Sequence, residues 1–415
     1  MHETRRPRSE VRTSSILTSD LRLLTSDKNE VDNMEIFRPA WAEVDLEALI
    51  RNFRKIQAYT SSEIMPIVKA DAYGHGVIPV VETLWKCGAK RFGVALLEEA
   101  LEIKQRFPEV MVMIIGTTPK ENAELIVRED IITGVFLYEQ ALALSQAATS
   151  LDKTAVIHLK IETGMGRIGF SLAELPDILR IAELPNLYIE GIYTHLATAD
   201  HSNLTYAKEQ LKRFQELNNL LKVAGVEIPL RHVANSGAIL QLPESHFELV
   251  RPGISLYGFP PSSEVGGNDK FEPVMSWKTM ISQVKTIATG DTVSYGRTFQ
   301  AAYPTKVATI PVGYADGLRR ALSNRGEVIV RGERVTIIGR VCMDQTMLEV
   351  TKISDVEVGD VVTLLGEDGA ERIDATEMAS WLGTINYEVV CGISKRVPRK
   401  YSVFLEVGDQ RPEVG

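Results

Sequence analysis

Lys69 stands directly behind a short apolar run in the segment VKADAYGHG, with Tyr73, Gly74, His75 and Gly76 just beyond it. A lysine amine can form a Schiff base with an aldehyde, and an aldehyde cofactor joined in that way can stabilise a carbanion. Taken alone, a lysine at the end of a strand is more often a surface or ion-paired residue. Its company changes that reading, because polar residues recur at the ends of later apolar runs. Lys160 and Arg167 bracket KIETGMGR, His195 lies in IYTHLATAD, Asn235 and Ser236 close HVANSG, and Arg251 opens the loop of VRPGISLYG. The backbone amides of Gly253 and Ile254 in that last segment could cradle a phosphate dianion beside Arg251.

A second group lies further on: Tyr295 in VSYGRTF, Tyr314 in IPVGYADG, Met343 and Asp344 in GRVCMDQ, and Tyr387 in INYEVVCG. Tyrosines in strands are ordinarily packing residues. A phenol with its ordinary pKa near 10 is a poor base at neutral pH, so a catalytic tyrosine needs neighbours that stabilise the phenolate. His195 and Arg251 are candidates to supply them. His195 and His201 lack the carboxylate and the helical spacing of a metal site, and no metal is expected.

These residues need elements to position them. From Trp41 onward, helical amphipathic stretches alternate with short apolar runs. Asp45 is placed to cap a first helix whose buried face is Leu46, Leu49, Ile50, Phe53 and Ile56. Strand candidates fall at 64–68, 92–96, 112–115, 133–136, 156–161, 189–194, 230–234 and 254–257. Eight runs with helix-like spacers favour an N-terminal (β/α)8 barrel of the TIM type, whose chemistry sits at the C-terminal ends of its strands. A doubly wound sheet is the alternative. After about residue 273 the texture turns to β-rich segments broken by Gly and Asp, which reads as a mostly-β C-terminal domain. The predicted division is therefore a barrel over 34–272, whose first few residues may join the β domain, and a β domain over 273–415. Residues 1–33 hold six basic and six acidic residues with little periodicity, and are expected to form a disordered extension; a transit peptide would be poorer in acids. Met34 is a candidate original start.

Bulk properties narrow the function. A chain of 415 residues with 44% hydrophobic content has enough apolar surface for a large core. A formal net charge of −9 argues against a nucleic-acid binder. Cys87, Cys342 and Cys391 form no CxxC pair, so neither a zinc knuckle nor a disulfide framework is indicated, and the cytoplasm is the expected compartment. No apolar run approaches the roughly 18 residues of a membrane span.

Together VKADAYGHG, TGMGRIGF, YTHLATAD, VRPGISLYG, VSYGRTF, IPVGYADG, CMDQ and NYEVVCGISKRVPR resemble the alanine racemase family, in its order, from about Glu35 to Arg399. The resemblance implies a pyridoxal 5'-phosphate enzyme of fold type III that interconverts L- and D-alanine and supplies D-alanine for peptidoglycan. It implies that Lys69 carries the cofactor and acts as base on one face of the substrate α-carbon. Tyr295 of a second subunit would act on the other face, in a homodimer with shared active sites. Tyr73, Ser236, Gly253, Ile254 and Tyr387 match phosphate contacts, with Asn235 in the same loop, and His195 matches a residue near the ring and Tyr295. Arg251 matches the partner of the pyridine nitrogen, which it can hydrogen-bond without protonating because its own pKa exceeds about 12. Arg167 and the Met343 amide match the carboxylate-binding groups, with Asp344 beside them and Tyr314 crowding the entrance. Lys160 matches a position carbamylated in many members. The Lys395 position varies in the family, and residues 1–33 have no counterpart. A broader racemase acting on serine would use the same catalytic residues. A non-catalytic cofactor-binding protein on the same barrel would need neither Tyr295 nor the β domain. A decarboxylase of this fold class would carry glycine-rich and cysteine motifs that are not found.

Overall fold

The structure is a computed structural model that describes residues 38–266 and 271–402. The expectations for residues 1–33 and for Met34 lie outside the described residues.

The first strand, β1 (Ala40–Val44), does not enter the barrel. It pairs antiparallel with β10 (Met275–Met280) and parallel with the strand Arg399–Tyr401. The helix Leu46–Tyr59 follows at once, because Asp45 stays extended and its Oδ1 accepts the N–H groups of Glu47 and Ala48, both at 2.9 Å. Leu46, Leu49, Ile50, Phe53 and Ile56 form its buried face.

Eight short parallel strands then make the barrel: β2 (Glu63–Ile64), β3 (Arg91–Val94), β4 (Met111–Ile114), β5 (Ile132–Val135), β6 (Ala155–Lys160), β7 (Leu187–Tyr193), β8 (Leu230–His232) and β9 (Leu249–Val250). Strands β3 to β8 pair in sequence as one six-stranded sheet, and β2 pairs with β9. The two pieces join at both edges. The Val68 N–H donates to Gly93 O at 2.9 Å beyond β2, and the Arg251 N–H donates to Ala234 O at 2.9 Å beyond β9. These strands are mostly apolar, interrupted by polar residues such as Arg91, His158, Glu190 and His232.

The last barrel strand differs from expectation. Residues 254–257 are not a strand but a 3₁₀ turn, and the strand is Leu249–Val250. Pro252 has no N–H to continue a ladder, and Gly253 sits at φ −116°, ψ −99°, which turns the chain away. The turn ends at Gly258 in the left-handed region, φ +90°.

Beyond the barrel, a ten-stranded and largely antiparallel sheet incorporates β10 and β1. The helices Ala375–Leu382 and Asn386–Cys391 lie near the end of this region. No helix among the described residues is long and apolar enough to cross a membrane.

Candidate active site

Lys69 leaves the barrel wall where Ile67 bridges to Gly93 of β3. The next four residues, Ala70 to Tyr73, all have φ between +52° and +55°. A left-handed turn costs a non-glycine residue about 1–2 kcal/mol, so something must hold it. Glu99 accepts the Ala70 N–H at 2.6 Å, Asp71 Oδ1 accepts the Val77 N–H at 2.7 Å, and Arg399 Nε donates to Gly74 O at 3.0 Å. From within, His75 Nδ1 lies 3.0 Å from both Ala72 O and Tyr73 O and must donate to them, since both are carbonyls.

The turn aims Tyr73 at the loops after β8 and β9. Its ring stacks on Tyr257 with centroids 4.8 Å apart, and Tyr387 lies 6.1 Å away, brought in by the helix Asn386–Cys391. Asn235 caps the helix Ser236–Gln241 by accepting the Ala238 N–H at 3.1 Å, and Ser236 Oγ accepts the Gly253 N–H at 2.9 Å. A Cβ on Gly253 would stand 2.6 Å from the Tyr73 hydroxyl and 3.9 Å from Ser236 Oγ. Glycine thus lets the Tyr73 hydroxyl come close against its backbone, with Ser236 Oγ beside it and Ile254 next in the chain. Burial pushes the Tyr73 and Tyr387 phenols well above their ordinary value, so both remain hydrogen-bond donors.

Cations collect beside these hydroxyls. Lys160 is buried at the end of β6, donating to Ile161 O at 2.9 Å; burial and then Arg251 and Arg167 bring it down to about 7, against the pull of Glu162. Burial and then Arg167 lower Lys69 as well. His195 falls well below the usual histidine value through burial and the charges of Arg251, Arg167, Lys160 and Lys69. Arg251 is buried and drops to about 10 for the same first reason. Glu99 and Glu162 lie near enough to raise the proton affinity of Lys69 and Lys160, but both are engaged by backbone amides: Ala70, Ala95 and Leu96 for Glu99, and Gly164, Gly166 and Arg167 for Glu162. The mouth is a half-dry cationic space suited to an anionic ligand.

The residues from the β-rich region form a separate exposed group. Tyr295 sits between Ser294 at φ +67° and Gly296 at φ +72°. Its side chain is 73% exposed and makes no hydrogen bond, ion pair or ring contact among the described residues. Tyr314 and Met343 are exposed on two loops held together by Tyr314 N–H to Cys342 O at 2.9 Å and Ala315 N–H to Met343 O at 3.0 Å. Asp344 is tied to Arg396 at 2.7 Å.

Thus Lys69, Tyr73, Lys160, Arg167, His195, Ser236, Arg251, Gly253 and Tyr387 cluster around the barrel mouth, while Tyr295, Tyr314, Met343 and Asp344 face outward. Sequence reasoning missed His158, His232, Glu190 and Arg91, which link up behind Arg251 inside the barrel. The signal was there: a histidine in VIHLK and a glutamate in YIEGIY, each a polar residue inside an apolar strand.

A closed parallel barrel with a buried lysine at its cationic mouth, followed by a β-rich region, defines an α/β-barrel enzyme. Residues 44–261 match the family model described as alanine racemase, N-terminal domain, and residues 274–401 that of alanine racemase, C-terminal domain. The chain belongs to the alanine racemase family. The alanine racemase of Halothermothrix orenii is 44% identical over 372 residues, 89% of this chain and 98% of that one. The structure of alanine racemase from Bacillus anthracis with bound L-Ala-P is 38% identical and superposes with a TM-score of 0.85, covering 88% of this chain and 96% of that one. An alanine racemase from Bartonella henselae with covalently bound pyridoxal phosphate is 28% identical, with a TM-score of 0.80 and coverage of 88% and 99%.

Proposed function

We propose that this chain interconverts L-alanine and D-alanine with pyridoxal 5'-phosphate, in a homodimer whose two active sites are shared. The observation that carries the reading is Lys69 beside converging hydroxyls and a surplus of cations. The mouth fits the cofactor on both counts: the Tyr73 and Ser236 hydroxyls converge at the Gly253 backbone, a polar set suited to a phosphate, and Arg167 and Arg251 supply positive charge for a phosphate and a carboxylate. Lys69 would hold the aldehyde carbon; Tyr73, Ser236, Gly253, Ile254 and Tyr387 the phosphate; Arg251 the pyridine nitrogen; Asn235 and His195 flank the ring. When bound, the cofactor supplies the electron sink that makes the α-proton of an amino acid removable.

The chain's own groups do the rest. Burial and then Arg167 hold Lys69 below its ordinary value, which favours the neutral amine, and its Nζ takes a proton from one face of the α-carbon. Tyr295 of the second copy delivers a proton to the other face, which inverts the centre; its bare ring is the feature that a second copy would cover. Arg167 and, from the second copy, the Met343 amide hold the substrate carboxylate, with Asp344 anchoring that peptide through Arg396. Tyr314 and Tyr387 narrow the entrance and favour alanine. Arg251 would hydrogen-bond the ring nitrogen without giving up its proton, so the electron sink supplied there would be a tempered one. Lys160, at about 7, has enough neutral amine to add to carbon dioxide with loss of a proton, giving a carbamate anion that orients Arg167. The cofactor-binding barrel runs to about residue 272 without β1, which joins the β domain that follows from about 273, and the product serves cell-wall peptidoglycan from the cytoplasm.

The purified protein should absorb visible light, lose that band on borohydride reduction with the pyridoxyl group retained on the Lys69 peptide, and racemise L-alanine by chiral chromatography. A colourless chain, or equal rates on alanine, serine and lysine, would sink the proposal.

A further inference from the structure

Arg251 is buried inside the barrel, yet among the described residues its guanidinium touches no carboxylate. Nη2 donates to Thr194 O at 2.7 Å and Val233 O at 3.1 Å, and Nη1 donates to His232 O and lies 3.1 Å from His232 Nδ1. A guanidinium can only donate. His232 Nδ1 must therefore present a lone pair, and its ring proton must sit on Nε2. That nitrogen lies 2.7 Å from His158 Nδ1, which must then accept, placing the His158 proton on Nε2. His158 Nε2 lies 2.9 Å from Glu190 Oε2, and Glu190 is held bidentate by Arg91 at 2.6 and 3.0 Å. The protons run one way, from Arg251 through two imidazoles to a carboxylate at the far end of the barrel.

The barrel is shaped around this chain of groups. A Cβ on Gly191 would stand 2.4 Å from His158 Nδ1, so only glycine admits the ring. The β6–β7 register slips between Ile157 and His158: Ile157 faces Ile189 and His158 faces Gly191, leaving Glu190 as the extra residue of a bulge. Bulges re-aim side chains, and here the bulge residue turns to His158. Tyr193 lies flat on His232, with centroids 4.8 Å apart at 10°, and donates to Ile115 O at 3.1 Å. Burial keeps both imidazoles below the usual histidine value, as a single proton on each ring requires.

We propose that Glu190 and His158 are positioning residues for Arg251: the carboxylate orders the two imidazole protons so that His232 offers a lone pair to the guanidinium and holds it aimed at the barrel mouth. Only what Arg251 meets there rests on the function proposed above. The relay itself can be read without cofactor, from the nitrogen resonances of histidine-labelled protein, where His158 and His232 should both be Nε2-protonated. In Glu190→Lys the ammonium can only donate, so His158 Nε2 must accept from it. Both imidazoles should invert to the Nδ1-protonated form, setting N–H against N–H at Arg251. Pyridoxal phosphate should then bind roughly tenfold or more weakly, the usual loss when a group that orients a binding side chain is reversed. Glu190→Asp, which keeps an acceptor, should retain the parent tautomers and affinity. Nδ1-protonated rings in the parent, or a Glu190→Lys protein with unchanged tautomers or unchanged affinity, would overturn the assignment. Should Glu190→Lys fail to fold, the parent tautomers decide. A parent that shows the expected tautomers but binds no pyridoxal phosphate would defeat the proposed function and leave the relay standing.

Discussion

At the residue scale, Lys160 and Tyr295 illustrate opposite demands on a side chain. Lys160 is a buried cation that donates to a carbonyl and lies over the Tyr193 ring at 5.4 Å, and its folded pKa of about 7 lies below the ordinary 10.5. Below pH 7 the lysine is charged in both states and the whole burial penalty opposes folding. As pH rises from about 7 toward 10.5 the folded lysine sheds its proton while the unfolded one keeps it, and the penalty fades. In carbon-dioxide-free buffer, Lys160→Met should therefore be more stable than the parent at pH 6 by a few kcal/mol. That advantage should shrink steadily toward pH 10 in urea titrations, and racemisation should fall. A stability gain that grows with pH would contradict the burial argument. Tyr295 is instead bare. In deuterated water Tyr295→Phe should exchange the α-proton of one alanine enantiomer far faster than that of the other, and symmetric loss would count against two bases on opposite faces.

The element scale is where the left-handed turn after Lys69 belongs. In an ordinary helix Ala→Gly costs up to about 1 kcal/mol, but Ala70 is exposed and stands at φ +53°. Ala70→Gly should leave stability unchanged or raise it by up to about 1 kcal/mol, measured by chemical denaturation; a full helical penalty would show that the turn is not left-handed in solution. This conformation was not legible in VKADAYGHG, because no local propensity asks three alanines and aspartates in a row to take positive φ. It is imposed by Glu99, 29 residues away, and Arg399, 325 residues from the carbonyl it holds. The apolar runs did disclose seven of the barrel strands to within a few residues. The eighth was displaced because the apolar turn ISLY mimics a strand, while its true strand is two residues long. The mouth residues were legible as polar positions at strand ends. His158 and Glu190 stood out as polar residues within apolar strands, but their role did not, because the partners of His158, 32 and 74 residues further on, are brought beside it only by the fold.

For the whole molecule, the separation of the barrel-mouth group from the exposed Tyr295 group makes a shared site measurable. Lys69→Ala and Tyr295→Phe chains should each be inactive. Mixed through a cycle of dissociation and reassociation, they should recover about a quarter of parental activity, since half of random dimers are hybrids and each hybrid has one complete site. No recovery, with hybrids present by native mass spectrometry, would defeat the shared-site reading.

Arg399 carries a consequence for how the protein is made. The clamp on Gly74 O comes from a residue synthesised 325 positions after the carbonyl it grips, and the strand Arg399–Tyr401 adds to the sheet beside β1, the first strand described. During translation the barrel strands can emerge and pair while the turn after Lys69 still lacks this hold. A barrel formed before residue 399 is available therefore has its turn gripped from Glu99, Asp71 and His75 but not yet from the later sheet. The turn after Lys69 ties the two regions of the protein into one order of assembly.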